Sequence, residues 1–159
     1  MRTRFGIHTG EAVVGNVGSA DRINYTALGH TVNMASRFEK LNKRYGTTIL
    51  VSDDVRSAAG APFVFRFVDR VVPDGAHMAI ALYELVGAEI SDEPDLLPAI
   101  RHRDTQSRWL AALSACDSQD WGKTYELLEQ LAADEPDDAL FQVYRARCEA
   151  HRKLAPREA

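Results

Sequence analysis

The chain has 159 residues, a formal net charge of −4 and two cysteines. That length suits one domain or two small ones, and a chain of ~150 residues buries roughly 70% of its unfolded surface. Hydrophobic residues make up 45% and charged residues 26%, which excludes disorder throughout. The apolar runs are a handful of residues long, against the about 20 that a membrane-spanning helix needs. Met1–Phe5 carry basic residues with no long apolar stretch behind them, so no signal peptide is expected. Cys116 and Cys148 lie far apart without a CxxC partner. They fit reduced thiols of a cytosolic protein better than a disulfide framework. The expected location is the cytoplasm, as a free protein or as the cytoplasmic part of a larger membrane-bound one. Charge is unevenly shared, +2 over residues 1–88 and −6 over residues 89–159. The first part suits an anionic small molecule and is too weakly basic for nucleic acid. The acidic second part reads as solvated helix faces.

In chain order, Arg4–His8 alternates as a strand. Ala12–Val14, running into Gly15-Asn16-Val17-Gly18, reads as a second, with a tight turn or bulge between the two. Ile23–Leu28 is a third strand, closed by Gly29. A helix follows with Thr31 as N-cap, and Met34, Phe38, Leu41 and Tyr45 forming its apolar stripe. Lys40, Lys43 and Arg44 suit its C-terminal end, and Gly46 its left-handed cap. Thr47–Val51 is a β-branched strand, and Asp53–Ala59 a short helix capped by Ser52. Phe63–Val72 and Ala79–Val86 pair as a hairpin across the turn Pro73-Asp74-Gly75.

From Gly87 the texture changes. Residues 89–103, with Ser91–Pro98 rich in proline and acids, read as a linker. Helices are expected over about 104–117, 120–134 and 137–153. Trp109, Leu110 and Leu113, then Trp121, Tyr125, Leu128 and Leu131, then Leu140, Tyr144 and Cys148 supply the apolar spacing. Trp121, Leu128, Leu131 and Pro136 resemble part of a tetratricopeptide repeat, although Thr124 stands where that repeat favours a small alanine. One helical hairpin and a following helix fall short of the ~3 repeats of a stable stack. That favours a cap or packing module, with a protein-binding groove as the second role.

Gly10-x4-Gly15 lacks the Lys-Ser/Thr of a P-loop, and Gly15-x-x-Gly18 alone reads as close strand packing. Asn33 and Arg37, four apart, share a helix face and border the apolar stripe at Met34 and Phe38. An amide beside a planar guanidinium suits phosphate oxygens and sugar hydroxyls. The spacing equally fits an Asn near a helix start and a surface Arg in a salt bridge. Asp21, Asp53, Asp54 and Asp69 read as surface or capping residues, with no metal-site pattern among them. His8 reads as packed or superficial. His77, His102 and His151 lack zinc spacing. Trp109 and Trp121 read as packing anchors.

The order of these segments is more specific than any one of them. Residues Gly6 to Ser19, then Tyr25-Thr26-Ala27-Leu28-Gly29, then Thr31-Val32-Asn33-Met34-Ala35-Ser36-Arg37 closely resemble the class III nucleotidyl cyclases, the adenylate and guanylate cyclase catalytic domain. Leu41-Asn42-Lys43-Arg44-Tyr45-Gly46 and Tyr83-Glu84-Leu85 are similar to its bacterial branch. The resemblance covers roughly residues 3–87. It implies an α+β fold whose partial ferredoxin-like sheet occupies residues 1–88 as the C-terminal part of the catalytic domain. An all-α, tetratricopeptide-like tail over residues 104–159 follows. The resemblance also implies a dimer, homodimeric or with a second cyclase subunit, with active sites at the subunit interface.

By the same resemblance Asn33 orients the ribose of ATP, and Arg37 stabilises charge on the α-phosphoryl group. Thr26 reads the adenine edge, so ATP is favoured over GTP. The reaction makes cyclic AMP and pyrophosphate with Mg2+ or Mn2+ bound by two aspartates. Those aspartates and the purine-reading lysine fall upstream of the region matching Arg4, and His30 stands where the family usually has Asp. The expectation is therefore a truncated cyclase, inactive alone for want of its metal ligands. The alternative is a non-catalytic module that docks on an intact cyclase. Strands near 4–17 are expected to present unpaired edges, giving poor solubility or dimerisation.

Overall fold

The computed structural model describes residues 3–19, 22–72, 78–89 and 100–154. The Pro73-Asp74-Gly75 turn, Asp21, His77 and the Ser91–Pro98 stretch lie outside them. The chain divides into two compact units: residues up to Glu89 without Arg44–Gly46, and Arg44–Gly46 with the residues from Ile90 on. The whole is mixed α+β, with strands in the first unit and helices in the second.

The first unit runs β1 (Phe5–Ile7), β2 (Val13–Ser19), β3 (Arg22–Leu28), α1 (His30–Tyr45), β4 (Ile49–Ser52), α2 (Asp53–Ala59), β5 (Phe63–Val71) and β6 (Ile80–Ala88). A four-stranded sheet has the order β1-β4-β6-β5, while β2 and β3 form a separate antiparallel ribbon. The first two sequence strands are thus not neighbours. β1 pairs in parallel with β4, Gly6 opposite Leu50, and β2 pairs with β3, Gly15 opposite Thr26. β5 and β6 pair as the expected hairpin, with Arg66 opposite Glu84. Their side chains make an ion pair at 2.6 Å.

The unit's core is Met34, Phe38, Leu50, Val51, Val68 and Leu82, all almost wholly buried. α1 lies directly on β1 because Gly6 has no side chain. A Cβ there would stand 2.1 Å from the Ala35 carbonyl oxygen and 2.4 Å from the Glu39 nitrogen. The buried stripe of α1 differs from the apolar spacing in one place: Leu41 is half-buried, and Asn42 is fully buried on the row of Met34 and Phe38. The Asn42 amide donates to the Phe5 carbonyl at 2.9 Å and to the Phe38 and Glu39 carbonyls at 3.1 and 3.3 Å. Its oxygen accepts from the Thr47 hydroxyl at 2.7 Å. Every polar group of a buried amide needs such a partner, because leaving one unpaired costs about 1–3 kcal/mol.

Asp69 is a correction. Expected at the surface, it is 8% exposed and accepts from the Arg70 backbone N–H at 2.8 Å. The β5–β6 register shifts between Phe67 and Asp69, and one extra residue in a strand inverts the inside-outside alternation beyond it.

The second unit contains α3 (Ile100–Asp117), α4 (Trp121–Asp134) and α5 (Ala139–Leu154). α3 packs on α4 and α4 on α5. Trp109 is buried as expected, its ring 4.8 Å from that of Tyr144 and 5.5 Å from that of Phe141. Trp121 is half-buried and stacks on His151 at 4.4 Å. Asp120 caps α4 by accepting from the Lys123 N–H at 3.0 Å. Thr124, buried against that cap, donates to the Asp120 carbonyl at 2.7 Å. Both cysteines are free, and burial pushes the Cys148 thiol above its ordinary pKa.

Candidate nucleotide site at the start of α1

The turn from β3 into α1 is made at Gly29, whose φ of 138° a side chain rarely adopts. Gly29 also supplies the carbonyl that accepts from the Asn33 N–H at 3.2 Å. The helix starts at His30, one residue before the expected N-cap. Thr31 does not cap it; its hydroxyl donates to the Glu11 carbonyl at 2.7 Å. Thr31 stands inside the helix, past the position whose side-chain oxygen accepts from a free N–H, and its hydroxyl ties the first turn of α1 to the segment entering β2. Gly10 makes room for that tie, since a Cβ at its position would stand 2.7 Å from the Thr31 hydroxyl.

Asn33 is exposed and Arg37 half-buried. Each immediately precedes a fully buried residue, Met34 and Phe38. The two lie on successive turns of one helix face that borders the core. Thr26 is exposed on β3, in the strand that leads into this helix. It faces Gly15 across the ribbon, and the place a Gly15 Cβ would occupy is open. This arrangement offers a guanidinium, an amide and a hydroxyl from two adjoining elements. Those are donors for phosphate, for sugar, and for a base edge that both donates and accepts.

One pairing escaped the sequence reading. His8 Nδ1 lies 2.9 Å from the Ser52 hydroxyl, and the His8 ring meets Phe38 edge-on at 5.5 Å. Ser52 precedes α2 as expected, yet its side chain makes no cap bond. Burial pushes the His8 pKa below its ordinary value; the Asp54 charge opposes this and His30 adds to it. Two residues 44 apart in the chain leave no local pattern to read. Among the described residues no group of three or more His, Cys, Asp or Glu could hold a metal ion. No helix among them is long and apolar enough to cross a membrane.

Adenylate cyclase 1 of Rhizobium meliloti (strain 1021) is 50% identical over 87 residues, covering 55% of this chain and 13% of that protein. The terminal-differentiation specific adenylate cyclase of Dictyostelium discoideum is 40% identical over 96 residues, covering 58% of this chain and 4% of that protein. An adenylate cyclase of Anabaena cylindrica is 42% identical over 83 residues, covering 50% of this chain and 16% of that protein. The chain spans less than a fifth of the length of each of these relatives. Residues 1–86 match the model of the adenylate and guanylate cyclase catalytic domain, so the chain belongs to that family.

Proposed function

We propose that this chain supplies the nucleotide-binding side of an adenylate cyclase active site, with Asn33, Arg37 and Thr26 as the residues that touch ATP. The reaction is attack of the ribose 3′-hydroxyl on the α-phosphorus, forming cyclic AMP and releasing pyrophosphate. Arg37 stabilises the charge that develops on the α-phosphoryl oxygens, an effect worth about 10²–10³ in rate for one preorganised donor. Asn33 holds the ribose so that its hydroxyl is aligned, and Thr26 hydrogen-bonds the adenine edge. The observation that carries this reading is the row formed by Asn33 and Arg37 beside the buried Met34 and Phe38, in a segment that matches the cyclase family. The named activity of the relatives supports ATP as the substrate.

The family reaction uses Mg2+ or Mn2+. Among the described residues no group of three or more His, Cys, Asp or Glu fits such an ion. The partner is a second catalytic subunit, another copy of this chain or a different cyclase, and the active site lies where the two meet. Residues 1–88 act as the C-terminal part of the catalytic domain, the stretch between it and α3 as a linker, and the helices from α3 (Ile100–Asp117) on as a tetratricopeptide-like tail open to a protein partner. The chain alone binds ATP without turning it over. Calorimetric titration of the full chain with ATP tests the site. Binding should weaken roughly 10- to 100-fold in Arg37→Ala, the range for losing a charge-assisted bond of about 1.5–3 kcal/mol. Equal affinity in the wild type and Arg37→Ala overturns it.

A further inference from the structure

We propose that Asn42, held by Thr47, is a positioning residue that sets the rotation of α1 and so aims Asn33 and Arg37 at the nucleotide. The inference rests on the nucleotide role of Arg37 and adds to it the device that fixes where Arg37 points. α1 carries both residues on the row next to its buried stripe, so their placement follows the helix's rotation about its axis. Apolar packing is non-directional, and Met34 and Phe38 alone hold that rotation loosely. A hydrogen bond weakens steeply as its angle departs from linear. The Asn42 amide reaches out of α1 to the Phe5 carbonyl at 2.9 Å. That bond joins the helix to the first residue of β1, one residue before the Gly6 contact with Ala35 and Glu39.

The amide is itself held. Its oxygen accepts from Thr47 at 2.7 Å, and both residues are at most 1% exposed. With Oδ1 taken by the hydroxyl, the amide group is oriented with Nδ2 toward the carbonyls. The lever is large. Side chains reach roughly 6 Å from a helix axis, so a rotation of about 10° carries a head group about 1 Å. A displacement of that size costs on the order of 100-fold in a reaction that depends on alignment. Single buried polar groups fix register in helical assemblies by the same directional logic.

A double-mutant cycle on the full chain tests this, with ATP affinity by calorimetry as the readout. Thr47→Val keeps the shape and removes the hydroxyl, and Thr47→Ser restores it. Both are measured at a temperature where circular dichroism shows each variant folded. Thr47→Val should lower ATP affinity about 10-fold or more, and Thr47→Ser should recover it. In an Arg37→Ala background Thr47→Val should lower affinity by less than it does in the wild type, since only Asn33 is then left for the helix rotation to misplace. As a second readout, the amide NMR signals of Asn33 and Arg37 should shift in Thr47→Val. Unchanged affinity in Thr47→Val, a loss of equal size in both backgrounds, or NMR shifts confined to residues 42–47 overturns the proposal. Wild-type protein that binds no ATP overturns the nucleotide reading and the positioning role with it. An Arg37→Ala loss without a Thr47→Val loss removes the positioning role alone.

Discussion

Gly6 carries the contact between α1 and β1, and the two nearest atoms to its missing Cβ are backbone, which cannot swing away. Gly6→Ala therefore forces the helix off the strand. Such overpacking costs about 1–3 kcal/mol, and urea unfolding should show a lower midpoint. Gly15→Ala, where a Cβ meets nothing within 4 Å, should leave the midpoint almost unchanged. Equal midpoints in the two variants would contradict the close approach of α1. His8 adds a pH dependence whose sign is fixed. Its pKa in the folded chain lies below the ordinary value, so the unfolded chain binds more protons as pH falls through about 6.5. Stability contributed by neutral His8 is complete above that pH and is lost below it. Urea midpoints at pH 7.5 and 5.5 should differ less in His8→Gln than in the wild type; an unchanged difference would exclude His8 as a source.

The ribbon of β2 and β3 is the element with the least to hold it. Two strands alone are marginal in water. Val13, Ile23 and Tyr25 are exposed by 74%, 61% and 75%. Apolar surface gathered on one ribbon marks a contact with another molecule or a tendency to aggregate. Sedimentation velocity should show wild-type protein associating with rising concentration, and Ile23→Lys with Tyr25→Lys shifting it toward monomer. A wild type that stays monomeric across the range would contradict this. The ribbon also shows what a sequence withholds. Alternation in β1 and the β-rich runs of β2, β3 and β5 identify strands, but a period of two gives faces and not partners. The parallel pairing of β1 with β4 was therefore illegible. Met34 and Phe38 were readable as the buried side of α1 from spacing alone. Asn42 was passed over for Leu41 because apolar periodicity cannot register a buried amide whose partners, Phe5 and Thr47, come from outside the helix.

At the scale of the whole molecule, the candidate site was legible through composite order more than through chemistry. Asn33 and Arg37 four residues apart fit an Asn near a helix start and a surface Arg in a salt bridge as well as they fit a phosphate site. Glycines 10, 15, 18 and 29 between strand-like runs, followed by that pair, made the site recognisable. The glycines have separate physical duties: Gly29 turns β3 into α1 and Gly10 admits the Thr31 tie. The helical unit is held by Trp109 against Phe141 and Tyr144 and by the Arg108 ion pairs with Asp104 and Asp134.

Under the proposed function Arg37 acts on ATP across a subunit boundary. This is tested by mixing the chain with an adenylate cyclase catalytic subunit that keeps its metal-binding carboxylates and has lost its own site arginine, and following cyclic AMP with time. Cyclic AMP should form with the wild-type chain, and its rate should fall about 100-fold or more with Arg37→Ala, the scale of one preorganised donor at the reacting phosphoryl group. Equal rates with the wild-type and Arg37→Ala chains would contradict it.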